Sequence, residues 1–212
     1  MADMLSRVVF LLLLASTMVA GADAPLPGLR VEAVDAGSVL YVKNNWDRPL
    51  AAYLIELVGY PGSSFSLYRD DPAAAIAPGA ELKIPIVNMT VGAAPEYVKL
   101  TGAIYADGSL AGAPEKSALM LGRRKFVIAT TGELVERIQK GGDKAALIAS
   151  LKEWSAALPP ATRPRRNSPE AVNQAAGREL IASACAALEK GTPESVTAGL
   201  KAQAAALAAA KP

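Results

Sequence analysis

Three observations predict a segregated α+β fold, an antiparallel β-sandwich followed by an α-helical bundle of four or five helices. Residues 23–112 alternate apolar and polar side chains with period two, are rich in β-branched residues and are cut by turn signals. Residues 113–212 change to Ala, Leu, Lys and Glu with apolar positions at helical spacing. The charge divides at the same place. Residues 23–112 carry 6 basic and 10 acidic groups, a net −4, and residues 113–212 carry 15 basic and 9 acidic groups, a net +6, although the whole chain is only +2.

Within the first half, strands are expected at 29–34, 39–43, 52–58, 64–68, 81–87 and 97–106, spaced about every ten residues as in a two-sheet sandwich. The segment Asn44-Asn45-Trp46-Asp47-Arg48-Pro49 reads as a turn: Asn and Asp tolerate the left-handed region, and Pro49 returns the chain to an extended form. Pro61-Gly62, Pro78-Gly79 and Asp107-Gly108 punctuate the remainder.

In the second half, Pro114 suits a first helical position and Glu115 the positive end of the helix dipole. Met120, Val127 and Leu134 lie seven apart beside Leu121, Ile128 and Val135, one broad apolar stripe. Thr130-Thr131-Gly132-Glu133 also fits a capping box, so residues 115–140 read as one helix or as two. Asp143 caps the next helix, with Leu147, Leu151, Trp154 and Leu158 on one face, and Pro159-Pro160 stops it. Ser168-Pro169 and Thr192-Pro193 are cap-plus-first-turn signatures for two more helices, and Gly191 sits where a helix-terminating glycine belongs. Between them, residues 159–169 form a Pro/Arg-rich connector.

Composition excludes several chemistries. The 212 residues include no His and one Cys, which removes Ser-His-Asp and Cys-His catalysis, imidazole ligation and any internal disulfide. Alanine accounts for 43 residues and Leu, Ile, Val and Phe for 52, enough for a folded core.

Residues 1–22 read as a secretory signal peptide. Arg7 precedes an apolar run containing Phe10, and Ala20-Gly21-Ala22 supplies a small-x-small cleavage site. The apolar run 8–22 is 15 residues, short of the roughly 20 that cross a bilayer. Export to the periplasm or beyond is therefore expected, with no transmembrane segment after cleavage.

Val39 to Asn45, Pro49-Leu50-Ala51-Ala52-Tyr53, Ala77-Pro78-Gly79, the run 81–87 and Ala103-Ile104-Tyr105-Ala106-Asp107-Gly108-Ser109 carry a resemblance. Over residues 30–125 the chain resembles uncharacterised exported bacterial proteins in which an Ig-like module is followed by α-helices. The resemblance implies an Ig-like sandwich for residues 23–112. It brings no activity and no site residues, and the Ig disulfide with its Trp is missing here.

Asp70-Asp71 and Asp107 are the carboxylates that a hydrolase would have to bring together, but each also reads as turn chemistry. Cys185, between Ile181 and Leu188, reads as a buried thiol. Two basic clusters, Arg123-Arg124-Lys125 and Arg163-Pro164-Arg165-Arg166, are candidate partner-binding groups. Trp46 either folds back over the sandwich end or contacts a partner. The expected function is a non-catalytic interaction or scaffolding module of the cell envelope, without cofactor or metal. Its partner is expected to be an envelope protein or an anionic surface, and nucleic acid is excluded for an exported protein with so few aromatic residues. The alternatives are a small carboxylate-dependent hydrolase, and a binder of an anionic envelope surface through the basic half.

Overall fold

A computed structural model describes residues 24–34, 37–59, 65–87, 97–158 and 168–210. The expected signal peptide 1–22 and residues 159–167 of the connector lie outside the described residues. The described residues form strands β1 (Gly28–Val34), β2 (Gly37–Lys43), β3 (Leu50–Leu57), β4 (Ser66–Asp70), β5 (Glu81–Val87), β6 (Val98–Tyr105) and β7 (Leu110–Gly112). Helices α1 (Pro114–Gln139), α2 (Lys144–Ala157), α3 (Pro169–Lys190) and α4 (Pro193–Ala209) follow. Strands first and helices second make the molecule α+β.

The strands make two antiparallel sheets, β1-β2-β5 and β4-β3-β6-β7. Leu40 and Val42 of β2 share one apolar core with Tyr53 and Ile55 of β3 and with Val98, Leu100 and Tyr105 of β6. On the opposite face of β3 and β6, Ala52, Leu54 and Ile104 pack on Met120 of α1. The four-stranded sheet is thus covered on both faces, which explains why Leu50-Ala51-Ala52-Tyr53-Leu54-Ile55 contains no charged residue and no polar/apolar alternation.

Asn44 holds the turn between β2 and β3. It is fully buried; its Nδ2 donates to the carbonyls of Arg48 at 2.7 Å and Ile76 at 2.9 Å, and its Oδ1 accepts from the Trp46 amide at 3.0 Å. This turn folds Trp46 back onto Tyr105, edge to face with centroids 4.4 Å apart. The Tyr105 hydroxyl donates to the Pro25 carbonyl at 2.6 Å, and burial pushes its pKa up to about 12. Asn44→Ala leaves two carbonyls and one amide without their side-chain partner, and is expected to lower stability by about 1–3 kcal/mol in urea unfolding.

Helix α1 is continuous. Thr131 donates its hydroxyl to the Val127 carbonyl at 2.7 Å, a bond within a helix, so the Thr130–Glu133 segment is mid-helix and not a second start. The helix sits close to the sheet because β6 carries Gly102 beneath it; a Cβ there would lie 2.8 Å from Met120 Sδ and 3.4 Å from Lys116 Cβ. The other helix starts follow the sequence signals: Asp143, Ser168 and Thr192 each accept a first-turn amide hydrogen through the side chain. Leu134 and Ile138 of α1, Leu147 and Leu151 of α2, Ile181 and Leu188 of α3 and Leu200 of α4 make a second core. Four α-helices are present among the described residues, and no helix is long and apolar enough to cross a membrane.

Candidate functional site

The two halves meet at a buried ion pair. Asp70 ends β4 and Arg124 lies on α1. Arg124 Nε donates to Asp70 Oδ2 at 2.8 Å and Nη2 to Oδ1 at 2.7 Å, with the side chains only 7% and 4% exposed. The remaining guanidinium nitrogen, Nη1, donates to the carbonyl of Ala210, which closes α4. The Tyr68 hydroxyl donates to Asp70 Oδ2 at 2.8 Å. Burial, with the Asp70 charge beside it, holds that phenol protonated far above its ordinary range. Burial works against the Arg124 charge, but the hydrogen bonds and charge of Asp70 outweigh it and raise the guanidinium pKa.

Arg123, Arg124 and Lys125 are consecutive, and the helix turns each about 100° from the last. Their surroundings differ accordingly. Arg124 is interior. Arg123 lies with its guanidinium carbon 4.4 Å above the Tyr68 ring, part-buried, and makes no hydrogen bond or ion pair among the described residues. Burial lowers its pKa, while Tyr68, Glu179 and Asp70 act the other way. Lys125 is exposed. Phe126, next along the helix, packs with Leu158 around Gly177. Arg163, Arg165 and Arg166 lie outside the described residues. Trp46 is packed on Tyr105.

Between β4, α1, α3 and α4 lies a cleft of about 760 Å³, lined on one side by Tyr68, Arg69 and Asp71 and on the other by Leu180 and Leu207. Carboxylates do not converge in it. Asp70 is held by Arg124, Asp71 pairs with Arg69 at 3.2 Å, and Asp107 faces Arg48 at 3.5 Å while accepting from the Ser109 amide. A carboxylate acid–base pair needs two such groups free to face one substrate. Cys185 is buried, and burial pushes its thiol pKa up, with Lys152 opposing and Glu189 adding to the rise. Among the described residues no cluster of three or more His, Cys, Asp or Glu side chains is placed to hold a metal.

Tyr68 carries no signal in the sequence that sets it apart from any other strand tyrosine. Arg124, expected from the sequence to be a surface cation, had a visible signal to the contrary. It stands four residues after Met120 and three before Val127, on the apolar stripe itself.

Residues 115–211 match the KfrA_N family, described as a plasmid replication region DNA-binding N-terminal domain. The match takes in essentially the whole helical half and none of the strands. No curated protein and no solved structure matches the chain. The family match corrects several expectations together: the resemblance to exported Ig-like proteins, export itself, the envelope scaffolding role, and its two alternatives of a carboxylate-dependent hydrolase and an anionic-surface binder. It also overturns the exclusion of nucleic acid. That exclusion rested on the expected export and on few aromatic residues, and aromatics matter for stacking on single strands, not for contacting the phosphates of a duplex.

Proposed function

We propose that the chain is a non-catalytic DNA-binding protein whose helical half, residues 113–212, makes the contact. The observation that carries this reading is the family match, which falls on the half with a net charge of +6 and avoids the half with −4. Exposed Lys125 on α1 and Arg163, Arg165 and Arg166 in the connector are the proposed phosphate-binding groups. Arg124 has a structural role, and Trp46 serves the strand core. Such a protein works where the DNA is, inside the cell. The absence of a catalytic role is supported by the engagement of Asp70, Asp71 and Asp107 with separate arginines.

The strand half, residues 23–112, is proposed to be an Ig-like sandwich. The strand order supports this: the first, second and fifth strands form one sheet, and the third, sixth and seventh form the other with β4 added at its edge. Its role is to cover and position α1.

The test is fluorescence anisotropy of a labelled duplex of about 20 base pairs, titrated with the full chain at several salt concentrations. Binding is expected to weaken linearly in log–log form with salt. Exchanging Arg163, Arg165 and Arg166 for Ala is expected to reduce that slope by about 3, roughly 0.9 for each phosphate no longer neutralised. No binding at low salt, or a slope untouched by the triple exchange, overturns the reading.

A further inference from the structure

The cleft between the strand and helical halves contains a cation whose N–H groups meet no acceptor among the described residues. Arg123 points its guanidinium over Tyr68, part-buried, with no hydrogen bond or ion pair among the described residues. Arginine has five N–H donors, and a part-buried one normally finds acceptors. Of the neighbouring carboxylates, Asp70 is held by Arg124 and Asp71 by Arg69, while exposed Glu179 lines the cleft without forming an ion pair to Arg123 among the described residues. The walls facing Arg123 are mainly apolar, Val127, Leu180 and Leu207, with Ser183 and Gln203 as neutral polar groups. At about 760 Å³ the space falls in the range of small-molecule sites, which run from about 300 to 1,000 Å³.

We propose that this cleft binds a small organic monocarboxylate with an apolar body, its carboxylate on the Arg123 guanidinium and its body against Val127, Leu180 and Leu207. Planar bidentate contact suits a guanidinium, and this one already rests 4.4 Å over the Tyr68 ring. One negative charge is favoured over two. Exposed Glu179 lines the same cleft with Asp70 and Asp71, so a phosphate dianion meets about twice the repulsion that a carboxylate meets. Nucleic acid is a different ligand on a different surface, and this proposal does not depend on the DNA reading.

The probes are 3-phenylpropanoate, its neutral amide 3-phenylpropanamide, and phenyl phosphate, each titrated into the full chain by isothermal calorimetry and saturation-transfer NMR. The carboxylate is expected to bind, the amide about tenfold or more weaker, and phenyl phosphate no tighter than the carboxylate. Arg123→Gln is expected to weaken the carboxylate about tenfold while leaving the urea midpoint close to the parent's. Gly199→Leu supplies an independent variant. Gly199 lines the cleft from α4, a Cβ there meets nothing within 4 Å, and a leucine side chain fills the space while keeping the helix. It is expected to block the carboxylate with Arg123 intact. Absence of carboxylate binding up to about 10 mM, equal binding of the amide, tighter binding of phenyl phosphate, or affinity unchanged in both variants overturns the proposal. DNA binding measured in the same two variants separates this site from the basic surface: it is expected to be unaffected.

Discussion

Arg124→Met is expected to destabilise the protein by about 3–5 kcal/mol, read as a lowered urea midpoint with an unchanged slope. The loss comes from what remains. Asp70 stays 7% exposed with its countercharge gone, and the Ala210 carbonyl loses its donor. Asp70→Leu combined with Arg124→Met removes both charges, and is expected to recover most of that loss, because two apolar side chains can share the volume without a desolvation penalty. The exposed pair of Arg137 and Glu133 is equally short at 2.6 Å. Breaking that one by Glu133→Gln is expected to cost less than about 1 kcal/mol, since solvent already screens it. Two ion pairs of the same length thus differ severalfold in effect, and burial decides the difference.

Gly112→Ala is expected to cost about 3–5 kcal/mol, the sum of strain at a positive φ and overpacking against a backbone. Gly112 has φ +100°, and a Cβ there would stand 2.3 Å from the Thr101 carbonyl oxygen and 3.0 Å from Gly102 Cα. Gly102 and Gly112 are register partners across β6 and β7, so relief by moving the strands apart would unzip the short β7 and shift the start of α1. Gly79→Ala is the control. Its φ is +74° but its Cβ meets nothing within 4 Å, so only the strain remains, about 1–2 kcal/mol. Thermal unfolding of the two variants distinguishes steric collision from backbone conformation.

Local chemistry made much of the fold legible in the sequence. Asp143, Ser168-Pro169 and Thr192-Pro193 announce helix starts because a short polar side chain can satisfy a first-turn amide only there. The strand at Glu81–Val87 is read to the residue, since Leu82, Ile84 and Ile86 alternate through it. The three-residue β7 escapes such reading, being too short to show a period. The continuity of α1 escapes it too, because Thr131 and Glu133 offer a cap that the helix does not take up: Thr131 bonds back to Val127 instead. The site was harder. Asp70 and Arg124 are 54 residues apart, and nothing local links them. Arg123-Arg124-Lys125 looks like one basic patch in linear order, but the helix sends its members to a cleft, an interior and a surface.

The sheet with two covered faces bears on synthesis as well as on stability. Once Gly112 has left the ribosome, β4-β3-β6-β7 is complete, yet the face formed by Ala52, Leu54 and Ile104 has nothing on it. Its cover, Leu119, Met120 and Leu121, follows within nine residues, which at about 5–20 residues per second means about 0.5–2 s of exposure. Placing the lid directly after the surface it closes limits the time in which two nascent chains can stick together. A cut between Gly112 and Pro114, by contrast, would leave that greasy face bare for good, and the liberated strands would precipitate rather than persist as a soluble fragment.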